Sequence, residues 1–204
     1  MASRQEKRNE EVKNLILSTA KDIISEEGIN SLSVRKIANK IDYSPSIIYH
    51  YFKNKDDLLQ YIWKENYMQI LSIIKDASTN SESNIEEKII NTFKAYINFA
   101  LENSELYKNF LLNDDIEVIN KTSLLKKGDG KERKSLSVLC FQINEGKKQD
   151  LFKKDMDDEL TAQILWTSTF GLIIRIIKEK NIPKEQQERL INHHFKILFQ
   201  GIKK

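Results

Sequence analysis

Residues 33–52, SVRKIANKIDYSPSIIYHYF, constrain the fold more tightly than any other stretch. Two short apolar repeats flank a polar bend, and each begins with a serine. Ser33 is placed to cap a helix in which Val34, Ile37, Ala38 and Ile41 form one inward stripe. Asp42 and Tyr43 make the bend. Ser44 then starts a second helix with Pro45 at its first position, where a missing N–H does no harm, and Ile48 and Phe52 fall four apart on a buried face. Two short helices joined this way can lay the second one in the DNA major groove.

A chain of 204 residues, 40% apolar and 31% charged, reads as a soluble globular protein with one large or two small cores. Six glycines and two prolines suit long helices. A net charge of +3 does not diagnose nucleic-acid binding, so the placement of basic residues has to carry that reading. The single cysteine, Cys140, excludes an intrachain disulfide, fits a reducing compartment and reads as a small core residue. The start MASRQEKRNEE lacks the apolar centre of a secretory signal, and no uninterrupted apolar run approaches the roughly 20 residues of a membrane span. A cytoplasmic location with no membrane partner is expected.

Helical spacing continues along the chain. Residues 1–10 read as a polar, frayed arm carrying Arg4, Lys7 and Arg8, and a first helix follows over about 11–27, stopped by Gly28. Asn54 caps a long helix reaching about residue 78, and STNSESN at 78–84 reads as a linker. Asn84 and Ser104 cap two further helices whose aromatic residues gather in a short part of the sequence. The pattern is weak over about 115–130; a helix over about 132–145 is ended by Gly146, Asp155 caps one over about 156–180, and Pro183 opens the last.

The last two helices are apolar around more than one stripe. Ile164, Ser168, Gly171 and Ile174 form one line, Trp166, Phe170, Ile173 and Ile177 another, and Ile191, Phe195 and Leu198 follow on the final helix. A helix on a monomer's surface needs only one stripe. The excess predicts a homodimer with a four-helix-bundle interface built from residues about 156–180 and 184–202 of each subunit, using Ile164, Ser168, Gly171, Ile174, Arg175, Ile191, Phe195 and Leu198. Arg175 interrupts the apolar run and needs a carboxylate or the interface rim. The adjacent His193 and His194 point to different sides of a helix, and no metal, cofactor or catalytic spacing is present, so no enzyme is expected.

Together with the helix before it and KNKDDLL after it, the opening stretch resembles the DNA-binding domain of the TetR (tetracycline-repressor-like) transcriptional regulators. The matching positions are Ser33, Val34, Arg35, Ile37, Ala38, Ser44, Tyr49, Tyr51, Phe52 and Lys55. Two departures stand out: Asp42 replaces the glycine usual at the bend, and Pro45, Ser46 and Ile47 stand where the family often has Lys-Gly-Thr. The resemblance implies base contacts from Arg35 and from the opening of the second helix, Ser44, Pro45, Ser46 and Ile47. It implies phosphate contacts from Tyr49 and Lys55, and His50 reads as a phosphate neighbour or an exposed ring. Arginine can bond a guanine edge with two N–H groups, whereas serine, proline and isoleucine offer one hydroxyl and apolar contact with thymine methyls. Half-sites rich in A·T with a guanine opposite Arg35 are expected.

The implied fold class is all-α. A three-helix helix-turn-helix domain is expected over 1–55, with the turn motif at about 33–52, and a larger helical ligand-binding and dimerisation domain over 56–204. A regulator of this kind needs an effector chamber, for which Trp63, Tyr67, Phe93, Tyr96, Phe110, Trp166 and Phe170 are the candidates. The Trp166, Phe170, Gly171 group resembles a Trp-His-Gly element in some members, with phenylalanine in place of histidine. The expected function is a ligand-responsive repressor that binds a palindromic double-stranded operator as a dimer and is released by a hydrophobic or amphipathic small molecule. The alternative is a DNA-bound protein whose C-terminal domain recruits a protein partner.

Overall fold

The computed structural model describes residues 3–79, 84–111 and 123–204, apart from the side chains of 109–111. Its described elements are helices. In chain order they are α1 (Arg4–Glu27), a 3-10 turn (Ile29–Ser31), α2 (Val34–Lys40), α3 (Pro45–Tyr51), α4 (Lys55–Thr79) and α5 (Ile85–Glu102). There follow α6 (Ser104–Leu111), α7 (Asp129–Glu132), α8 (Lys134–Lys148), α9 (Asp158–Lys178) and α10 (Lys184–Ile202). The chain divides into two compact units, Met1–Met68 with Asn103–Asn113, and Gln69–Glu102 with Asp114–Lys204. The division falls inside α4, so one helix contributes residues to both.

In the first unit, α1 begins at Arg4 and not near residue 11 as its apolar repeat suggests. The Ser3 hydroxyl accepts from the Glu6 N–H at 3.1 Å, and the Glu6 carboxylate accepts from the Ser3 N–H at 2.6 Å. That reciprocal cap satisfies two otherwise orphaned donors and starts the helix within a polar segment. Gly28, with φ 82°, ends it. Ile16, Ala20, Ile23 and Ile24 of α1 are fully buried, and they form one core with Ile37, Ile48, Phe52, Leu58 and Ile62. Leu106 of α6 joins that core from far along the chain. At the start of α4, Asn54 Oδ1 accepts from the Asp57 N–H at 2.8 Å, while Asp57 Oδ2 accepts from the Lys53 N–H at 2.9 Å.

The bend between α2 and α3 turns on Asp42, whose φ of 56° is left-handed. A β-branched side chain there would crowd the backbone, at a cost of about 1–2 kcal/mol. Asp42→Val is expected to lower stability by that amount, whereas Asp42→Gly should be neutral to within about 0.5 kcal/mol because backbone freedom regained in the unfolded chain offsets the relief. Urea titration of the two variants measures this, and equal midpoints would contradict it.

In the second unit, α5 packs against α8, α9 and α10. Phe93 and Tyr96 of α5 meet Trp166 of α9 edge-on, with ring centroids 5.2 and 4.6 Å apart, and Phe93 lies 5.5 Å from Phe195 of α10. Two expected boundaries differ. Gly146 does not end its helix: it lies buried inside α8, where a Cβ would overlap the ring of Phe152. Asp157, not Asp155, caps α9, its Oδ1 accepting from the Leu160 N–H at 2.8 Å. Phe152 is fully buried, and its segment pairs with the end of the chain through the Lys153 N–H to the Ile202 carbonyl at 3.0 Å. Glu159 Oε1 accepts from the Gly128 and Gly130 N–H groups at 2.7 and 2.9 Å, which seats α7 on α9.

Candidate nucleic-acid interface

The core residues of the first unit decide which side chains α2 and α3 leave outside. Ile37, Ala38, Ile48 and Phe52 are buried, so Arg35, Ser44, Pro45, Ser46, Ile47, Tyr49 and His50 are left exposed. Tyr49 is 56% exposed although it lies one residue from the fully buried Ile48. The Ser44 hydroxyl does not cap α3 as its position suggests. It pairs with the Ser46 hydroxyl at 2.7 Å, while the Ser44 carbonyl accepts from the Ile47 N–H at 3.0 Å. Pro45 at the first helical position removes one of the four orphan donors of the helix start.

Charges around this pair are sorted by geometry. Lys36 pairs with Glu27 and Lys40 with Glu26, tying α2 to the end of α1. Arg35 is exposed and meets no carboxylate among the described residues, so its guanidinium is available to an external partner. Lys55, half-buried, donates from Nζ to the Ile29 carbonyl at 3.0 Å. An ammonium has three donors, so this bond leaves capacity for a phosphate. Tyr43, 40% exposed at the bend, adds an aromatic hydroxyl beside α3 that was not among the expected contacts. Only its place immediately before Ser44 could have flagged it.

The other candidate residues are distributed over both units. Phe93, Tyr96 and Trp166 line one cavity in the second unit, together with Ser135, Leu139 and Gln142. Its volume is ≈ 10 Å³, about enough for one water. Phe170 is half-buried on α9 and does not line it; Trp63 and Tyr67 are half-buried in the first unit and do not line it either. The side chain of Phe110 lies outside the described residues. On α9, Ile164 is 62% exposed, Gly171 has open space where a Cβ would stand, and Arg175 is exposed and paired with Glu179. Ser168, Ile174 and Leu198 are half-buried, whereas Ile191 and Phe195 are 8% and 1% exposed within their own unit. Leu160, Phe141 and Ile197, at 62%, 66% and 55% exposed, add apolar surface that helical spacing did not single out.

Two remaining titratable side chains are held by packing. Burial pushes the Cys140 thiol up to about 11, with Glu159 and Asp158 adding to the effect, so the thiol stays protonated at neutral pH. His194 lies with Nε2 3.1 Å from Thr169 Oγ1, and burial lowers its pKa from the ordinary histidine value.

An all-helical chain whose small helical unit presents the second member of a helix-turn-helix has the architecture of a DNA-binding transcriptional regulator. Residues 16–62 match the family model described as "Bacterial regulatory proteins, tetR family". Over 192 residues the chain is 24% identical to the "Fatty acid metabolism regulator protein" of Bacillus subtilis (strain 168), covering 92% of this chain and 93% of that one. It is 22% identical over 167 residues to the "HTH-type transcriptional regulator UidR" of Escherichia coli (strain K12), covering 80% and 81%. Among solved structures, the fatty acid degradation regulator FadR from Bacillus halodurans shares the fold, with a TM-score of 0.73, 21% identity and coverage of 92% and 94%. The family match is confined to residues 16–62, which hold the helix-turn-helix, while the likenesses at 21–24% identity run over most of the chain.

Proposed function

We propose that the protein is a cytoplasmic, ligand-responsive repressor that binds a palindromic operator as a homodimer and releases it when a hydrophobic or amphipathic small molecule occupies the second unit. The observation that carries the DNA-binding part is the exposed row Arg35, Ser46, Ile47 and Tyr49, held outward by the buried Ile37, Ile48 and Phe52. The exposed Ile164 and the open Gly171 on α9 support a second copy as the partner of that face. Two such heads would read half-sites about 34–36 Å apart, or a multiple of that spacing. The names of the Bacillus relatives make fatty-acid derivatives the first effectors to try. An effector need discriminate between two conformations by only about 1.4 kcal/mol to weaken operator binding tenfold, and α4, shared by both units, is the element through which it would act.

Selection of binding sites from random duplexes tests the reading at its base. Arg35→Ala is expected to cost about 1–3 kcal/mol on preferred sites and to relax preference at one position. Lys55→Ala should weaken all sequences alike and lower the salt slope by about one unit. Unchanged binding by both variants would remove the assigned roles, and sites that are G·C-rich throughout would contradict the recognition chemistry. The recruiter reading is favoured by one observation, the ≈ 10 Å³ cavity. It predicts operator binding that no small molecule alters.

A further inference from the structure

The cavity beside Trp166 has an uneven chemistry. Ile89, Phe93 and Leu139 give it apolar walls, and Gln142 and Ser135, 5% and 6% exposed, are the buried polar side chains that reach it. Trp166 is 7% exposed, and its indole N–H is buried without a hydrogen-bond partner among the described residues. Buried donors in folded proteins are almost always satisfied, and an indole N–H can only donate. Among the described residues, the Trp166 N–H is therefore a donor still in need of an acceptor. Among the described residues that line it there is no Lys, Arg or His, so an ionised carboxylate or phosphate placed there would be a buried charge with no opposite charge from them beside it.

We infer that the cavity is the seat of a neutral carbonyl oxygen, carried by an ester, ketone or amide on an apolar body, which accepts from the Trp166 N–H beside Gln142 and Ser135. The inference rests on the ligand-responsive reading and narrows it: the effector's acid group, if it has one, is masked. At ≈ 10 Å³ the present space admits no such group without outward movement of the lining. Occupancy and a change in the second unit are then the same event, and the ligand selects an expanded form over this one.

The test compares methyl decanoate with decanoate on the purified full-length protein near pH 7.5, below micellar concentrations. Binding is read as the rise in thermal unfolding midpoint, and operator release as loss of anisotropy from a labelled selected duplex. The ester is expected to act at a concentration at least ~10-fold lower than the acid. Trp166→Phe, which keeps a ring but deletes the N–H, should raise the ester concentration needed by ~10-fold, with Gln142→Leu moving the same way if both donors serve the oxygen. Each variant must first show a cooperative unfolding transition, and the ester-to-acid comparison on the unaltered protein needs no variant at all. Equal response to acid and ester, an unchanged ester response in a folded Trp166→Phe protein, or no midpoint rise with either probe overturns the inference. The ligand-responsive reading fails separately, when operator DNA stays bound across a full series of chain lengths and head groups.

Discussion

Phe52→Ala is expected to destabilise the first unit by about 3–5 kcal/mol, the range for deleting a buried aromatic ring. Phe52 is 2% exposed, shares a core with Ile16, Ile23, Ile48 and Leu58, and meets Tyr61 edge-on at 5.8 Å. Lys13 covers the outer side, its Nζ 3.7 Å from the Tyr61 ring centroid. The gap left by the ring would be bordered by α1, α3 and α4, whose backbones cannot all close on it. The total stability of a domain is about 5–15 kcal/mol, so a loss of this size leaves a large unfolded fraction of the DNA-reading unit. Hydrogen exchange followed by mass spectrometry should show faster exchange over residues 16–62 and nearly unchanged exchange over Lys134–Lys148 and Lys184–Ile202. Operator binding should fall with the folded fraction, although Phe52 touches no DNA in the proposed reading. An alanine variant with the parent's exchange pattern would show that this ring does not hold α3 in place.

The second large effect belongs to the other unit. Gly146→Val is expected to cost about 3 kcal/mol, the upper end for forcing atoms into a packed interior. Glycine in mid-helix is ordinarily a weakness of roughly 0.5–1 kcal/mol relative to alanine, so on an open helix face the substitution would be favourable. Here the sign reverses, because the ring that a Cβ would overlap belongs to Phe152, which is fully buried and meets the Phe199 ring at a tilt with centroids 5.9 Å apart. For a protein of this size 3 kcal/mol corresponds to a fall of about 6–12 °C in unfolding midpoint. Phe152→Leu in the Gly146→Val background should recover part of the loss, although alone it destabilises. Strict additivity of the two changes would deny the contact.

What could be read along the chain is what local chemistry dictates. The helix-turn-helix was legible because each helix there is bounded by its own signals: Ser33 accepts from the Lys36 N–H at 3.2 Å, Pro45 sits at a first position, and Asp42 takes the left-handed conformation. The outward row on α3 was legible for the same reason, since Ile48 and Phe52 fix the rotation of a short helix. Local signals misled where a residue answers to a distant neighbour. Gly146 reads as a stop, yet the Phe152 ring passing over it is the reason for its small size. Residues 4–10 read as a frayed arm for want of apolar residues, yet a polar cap suffices to start α1. The last two helices carry more apolar residues than a single stripe needs, but periodicity cannot tell which stripe the rest of the chain covers. Phe195 is 1% exposed in the second unit while Ile164 is 62% exposed, and both stand in equally apolar helical spacing.

The sequence by itself determined most of the helices, the caps at Ser33, Asn54 and Asn84, and the two-helix reading head, because these depend on hydrogen bonds and side-chain stripes within a few residues. Tertiary structure alone decided that Leu106 belongs to the core of the first unit, that Trp166 meets Phe93 and Tyr96 beside a small cavity, and that its buried N–H has no acceptor among the described residues. Those relations join residues separated by tens of positions, and only the packed chain makes them neighbours. The chemistry of a site is set by neighbours in space, which is why the reading head was visible in the order of residues and the character of the cavity was not.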